Sequence, residues 1–180
     1  MHKNTLLAAV ISISFAVPAL ASDGNITFSG LVRDSTCELN INNEGVVSTL
    51  IMPDVPVSEL STVGATAGET PFTVSLENCA STILSSAYVY FHNPANSDET
   101  TGRLWGTLNV QDNKLQIELL TSDRVPIFVG DEARQQANAN NHFDFTSGSA
   151  QRTYIARYYA SGPVLPEPAF SIVGLDIIYM

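Results

Sequence analysis

The last eleven residues, Phe170-Ser171-Ile172-Val173-Gly174-Leu175-Asp176-Ile177-Ile178-Tyr179-Met180, constrain this chain most. Val173, Leu175, Ile177 and Tyr179 fall on one face of an extended strand, and Phe170, Ile172, Gly174, Asp176 and Ile178 fall on the other. Period-2 alternation of β-branched and aromatic residues is a strand signal. An apolar strand placed last needs a neighbour on each side, and only earlier residues or another molecule can supply them. The pattern therefore asks whether the chain completes its own sheet.

The same alternation recurs upstream. In residues 25–34, Ile26, Phe28, Gly30 and Val32 share one face, while Thr27, Ser29, Leu31 and Arg33 share the other. Glycine inside a strand costs stability unless something must approach closely there. Further strands are expected at 37–41, 46–52, 71–79 (Phe72, Val74 and Leu76 inward), 87–91, 104–108, 115–120, 125–129, 143–145 and 152–159. Residues 53–70 read as loop with a small turn near Val57 and Leu60, and 130–142 as loop or a single helical turn. No segment sustains a helical period. Many short strands separated by turns predict an all-β sandwich or barrel.

Composition narrows the setting. A chain of 180 residues supports one domain with a real core. Eighteen acidic residues against eight basic ones give a net charge of −10. That charge disfavours nucleic acid and anionic membrane surfaces, which would repel it. Residues 1–21 read as a secretory signal peptide: Lys3 supplies the positive start, 6–17 an apolar run, and Ala19-Leu20-Ala21 a cleavage signature. Export to an oxidising space suits the two cysteines, Cys37 and Cys79, as a single disulfide. Neither a CxxC nor a paired histidine accompanies them, so a metal site is not expected.

Candidate catalysts are thin. Of three histidines, His2 belongs to the signal segment, His92 precedes a turn and His142 lies in a polar stretch. No HExxH, GxSxG, P-loop or GxGxxG motif occurs. The neighbouring carboxylates Asp98-Glu99 and Asp131-Glu132 would point apart on a strand and read as solvated loop. Tyr88, Tyr90, Phe91, Trp105, Tyr158 and Tyr159 could line a sugar site, but read better as sheet core or edge. Neither an enzyme nor a cofactor is expected.

Several stretches together resemble a known family. These are Gly24-Asn25-Ile26-Thr27-Phe28-Ser29-Gly30-Leu31-Val32-Arg33-Asp34-Ser35-Thr36-Cys37, then Phe72-Thr73-Val74-Ser75-Leu76-Glu77-Asn78-Cys79, and Ala156-Arg157-Tyr158-Tyr159-Ala160-Ser161-Gly162. Penultimate Tyr179 and the mature length agree. The set resembles chaperone–usher pilins, most of all the minor subunits of type 1 pili. The resemblance implies an incomplete immunoglobulin-like β-sandwich lacking its final strand, which a donor strand from another subunit completes. It implies a signal peptide at 1–21, a donor extension at 22–35 and a pilin domain at 36–180. Ile26, Phe28, Gly30 and Val32 would be the donated strand. Val173, Leu175, Ile177 and Tyr179 would line the acceptor groove, and the carboxylate of Met180 would meet basic residues of a periplasmic chaperone. An outer-membrane usher and neighbouring pilins complete the implied partners, and a surface fimbria supporting adhesion the implied destination. A single-domain carbohydrate-binding adhesin is the alternative.

Overall fold

The computed structural model describes residues 36–80, 84–93, 95–107 and 114–180. The expected signal peptide, the donor extension and its residues Ile26, Phe28, Gly30 and Val32 lie outside the described residues.

Alternation produces strands wherever a neighbour exists to take the ladder. In chain order the strands are β1 (Thr36–Ile41), β2 (Thr66–Ala80), β3 (Ser86–His92), β4 (Leu104–Trp105), β5 (Leu115–Thr121), β6 (His142–Asp144), β7 (Ala150–Ala160) and β8 (Gly174–Tyr179). They form a five-stranded sheet in the order β1-β2-β7-β5-β4 and a three-stranded sheet in the order β6-β3-β8. Every strand pairing is antiparallel. A 3-10 helix, Val57–Leu60, and one helix, α1 (Glu132–Ala137), fill two connections.

The core lies between the sheets. Phe72, Val74 and Leu76 of β2, Ile117 and Leu119 of β5, and Tyr154 and Ala156 of β7 meet Ala87, Val89 and Phe91 of β3 and Ile177 of β8. Three rings knit the layers: Tyr154 lies 5.5 Å from Phe72 and 5.1 Å from Phe91, and Phe72 meets Phe91 edge-on at 6.3 Å. Burying aromatic rings of this size contributes more than any other side-chain class. The cystine Cys37–Cys79 joins the start of β1 to the end of β2, with Cα atoms 4.1 Å apart.

β5 is buried on both faces along its whole length. Its core-facing residues are apolar, but Glu118 on the other face is also buried, held 2.8 Å from Arg103 and 2.6 Å from Arg157. Arg157 continues to Glu69 at 3.3 Å, and Arg124 closes on Glu69 at 2.9 Å. The Arg103 guanidinium also covers the Tyr159 ring at 3.5 Å. A buried carboxylate survives only when paired this way.

Four expected elements differ from what is observed, and the stretch 130–142 takes the helical one of its two expected forms. β2 begins at Thr66, inside the stretch read as loop, because the register shift between Ala67 and Thr70 lets Gly68 bend the strand without ending it. Residues 46–52 form no strand: turn residues Asn42 and Asn43, at φ 52° and 62°, break the ladder after β1. Residues 125–129 likewise form no named strand: their bonds are scattered, among them Ile127 to the Leu119 carbonyl and Val129 to that of Gly102, and Pro126 cannot donate to a ladder. The stretch 130–142 contains α1, started by the Asp131 side chain accepting from the Arg134 N–H at 3.0 Å. The last strand starts at Gly174, so Phe170 and Ile172 stand exposed ahead of it.

Candidate functional site

Most strand edges of this sandwich are blunted, as edges of soluble proteins must be. β4 spans two residues and β6 three. β1 shifts register between Thr36 and Glu38 and then runs into the turn at Asn42 and Asn43. β8 is different. It is six residues long, ends the three-stranded sheet, and has β3 as its strand neighbour among the described residues.

The side chains of β8 are also buried less completely than those of β3 and β5. Its pairing with β3 runs from Gly174 opposite His92 to Tyr179 opposite Ala87. Ile177 is buried, while Leu175, Tyr179 and the preceding Val173 touch the same core but remain half-buried. Cys37, Leu39, Leu50 and Met52 pack on that core in the same half-buried way. The two groups meet at one end, where the Tyr179 hydroxyl accepts a hydrogen bond from the Cys37 N–H at 3.0 Å. This bond sets the edge of one sheet beside the edge of the other, with Phe145 stacked edge-on against the Tyr179 ring at 5.9 Å. Beyond it, exposure alternates along residues 47–52: Val47 and Ile51 face out, Leu50 and Met52 face the core. The result is an apolar seam flanked by β8 on one side and by β1 with its continuation on the other. At the foot of β8, the Met180 N–H donates to the Ser86 carbonyl at 2.9 Å. On the opposite face Asp176 pairs with His92 at 3.3 Å, and His92 stacks on Tyr90.

The remaining candidates do not assemble into a site. Tyr88 and Phe91 are buried, Tyr90 and Tyr159 lie on different sheets, and Trp105 belongs to β4, so the aromatics do not converge. Asp131 caps α1, and Glu132 accepts from the Tyr88 hydroxyl at 2.8 Å. Burial, then the hydrogen bond to Glu132 and its negative charge, push the Tyr88 phenol up to about 12. Burial raises the Asp98 carboxyl, but hydrogen bonds from Thr100 and Thr101 outweigh it and hold the group below the usual carboxylate range. Among the described residues no cluster of histidine, cysteine, aspartate and glutamate is placed to hold a metal. None of the described helices is long and apolar enough to cross a membrane.

Sequence reading missed two polar residues next to the seam's sheet. Gln135 and Asn141 come from a stretch that reads as loop, yet they are 2 % and 1 % exposed. Their amides bond the main chain of β3 beyond the end of β6. The only sequence hint is that they share a short segment with the aromatic-flanked His142-Phe143 strand.

Comparison with known proteins fits this geometry. Residues 52–180 match the family model described as FimA, type-1 fimbrial protein, A. The chain is 32 % identical to an F17 fimbrial protein of Escherichia coli, with 99 % of each chain covered. It is 35 % identical to the major fimbrial subunit SMF-1 of Stenotrophomonas maltophilia, over 89 % of this chain and 95 % of that one. It is 29 % identical to the minor fimbrial subunit HifD of Haemophilus influenzae, over 90 % of this chain and 74 % of that one. Major and minor subunits thus both occur among its relatives. The fold resembles that of the P pilus rod subunit PapA, at TM-score 0.60 and 14 % identity, over 79 % of this chain and 99 % of that one. It also resembles a subunit of a chaperone-usher pilus, at TM-score 0.58 and 20 % identity, over 93 % of this chain and 100 % of that one. By the matched family model and by relatives above 30 % identity over nearly their whole length, the chain belongs to the type-1 fimbrial protein family.

Proposed function

We propose that this fimbrial subunit polymerises by strand addition along β8. The leading segment of a neighbouring subunit lies on the seam, with Ile26, Phe28 and Val32 inserted against Val173, Leu175, Ile177 and Tyr179. Gly30, having no side chain, lets the two backbones approach. Strand addition of this kind is a known mode in chaperone–pilin assembly. A periplasmic chaperone occupies the seam first and meets the Met180 carboxylate, and an outer-membrane usher passes the subunit to the cell surface. The role is structural rather than catalytic.

One observation carries the reading: the chain buries β5 on both faces yet, around the buried Ile177, leaves Val173, Leu175 and Tyr179 half-covered on the core face of the last strand. Covering three large apolar plugs contributes about 1.5–3 kcal/mol each before the cost of association. That is the scale on which a filament needs its joints held.

A disulfide trap tests it. Fibres assembled from subunits carrying Phe28→Cys and Leu175→Cys should give a ladder of crosslinked multimers on a non-reducing gel. Intact fibres without any crosslink between these positions would refute the proposed register of contact.

A further inference from the structure

The β3 edge that faces away from β8 is closed past β6 by side chains and by one main-chain group, the Gly130 N–H on the Phe91 carbonyl at 3.0 Å, instead of by a strand. β6 covers that edge only from Ser86 to Tyr88, ending at the pair Tyr88–His142. Beyond that point the main chain of β3 would lie open, with the main-chain groups of Val89 and Phe91 directed to the edge while their side chains stay in the core.

Two buried amides take the place of the missing neighbour. Gln135 of α1 accepts from the Phe91 N–H at 2.8 Å and donates to the Phe91 carbonyl at 2.9 Å, as an adjoining strand residue would. Its second N–H donates to the Phe128 carbonyl at 2.6 Å. Asn141 donates to the Val89 carbonyl at 2.6 Å and to the Gln135 carbonyl at 3.1 Å. Its oxygen accepts from the hydroxyl of Tyr154, a fully buried residue of the opposite sheet, at 2.9 Å. Every polar position on both amides is used. A buried amide so fully engaged is difficult to displace, because each bond lost leaves an unsatisfied group.

We infer that Gln135 and Asn141 restrict the subunit to a single acceptor edge, which keeps its polymer linear. This inference rests on the strand-addition reading of β8. A subunit with one leading segment and one acceptor edge can only extend a chain. A second acceptor along Val89 to Phe91 would admit another leading segment and start a branch.

The probe is a synthetic peptide of residues 24–35, added to the full chain and counted by native mass spectrometry. The wild-type chain should take up one peptide, and the Gln135→Met/Asn141→Leu variant two. Uptake of one peptide by both proteins would overturn the restriction role while leaving strand addition intact. No uptake by the wild-type chain would overturn strand addition itself, and the restriction role with it. Should the double variant fail to fold, Gln135→Met alone carries the test by hydrogen exchange. The Phe91 amide should exchange at least about tenfold faster, while Tyr88 and Tyr90, paired with β8, keep their rates. Unchanged protection at Phe91 would overturn the inference.

Discussion

The two long sides of the three-stranded sheet are finished in opposite ways. On the β6 side, β3 is covered first by main chain and then by the amides of Gln135 and Asn141, which are 2 % and 1 % exposed. On the β8 side, a six-residue strand buries Ile177 but leaves the core-directed Leu175 and Tyr179 half-covered. The same sequence therefore closes one edge of β3 tightly and leaves shallow the strand on its other edge, roughly 10 Å away at two strand spacings. Edge closure was within this chain's means, so the shallow side reads as a requirement of assembly and not as a failure of packing.

The largest effect should come from the foot of the seam. Replacing both cysteines, Cys37→Ser with Cys79→Ser, should cost about 4 kcal/mol in the chain-entropy account, read by denaturant unfolding. A cost near zero would mean that the seam side is held by something other than this tie. On the closed side, Asn141→Leu should cost about 3 kcal/mol, since it strands the Val89 and Gln135 carbonyls and the Tyr154 hydroxyl. If that change proves as mild as a surface substitution, the contrast between the two sides fails.

Raising the pH sharpens the contrast from another direction. Tyr88 clamps α1 onto β3 through Glu132, and its phenol is raised from its ordinary value near 10 to about 12. A group raised on folding contributes stability fully below its unfolded value and loses it as pH climbs through the folded one. Stability should therefore fall by about 1–2 kcal/mol between pH 10 and pH 12, and Tyr88→Phe should flatten that part of the profile. The smallest effect belongs to the seam's end. Tyr179→Phe removes the acceptor for the Cys37 N–H but keeps the ring against Phe145, and should cost about 1 kcal/mol.

Much of the architecture was legible in the residues. Alternation located the strands that have neighbours, such as Phe72, Val74 and Leu76 of β2 or Tyr154 and Ala156 of β7. It misled where alternation lacks a partner. Val46 to Met52 and Val125 to Val129 show the period of a strand, but a turn precedes the first and Pro126 interrupts the second. Glycine misled in the other direction. Gly68, at φ +67°, looks like loop, yet it bends β2 where an added Cβ would come within 2.8 Å of the Tyr158 ring. The side chains of β8 were assigned to a face correctly, while their half-burial depends on what surrounds them in space. Gln135 and Asn141 were illegible for a plain reason. A polar residue in a polar stretch carries no period, and its burial depends on a strand more than forty residues away.

The position of the cystine governs how a fibre would bear a pull. Where leading segments join successive subunits, tension enters each sandwich at the start of β1. One residue later it meets Cys37, covalently tied to Cys79 at the far end of β2. β2 is fifteen residues long and bonded by β1 on one flank and β7 on the other. Its hydrogen bonds run across the strand, so a force along it shears many at once rather than peeling them singly. The crosslink thus delivers mechanical load to the best-anchored strand of the molecule, and spares the short β1 from being stripped away first.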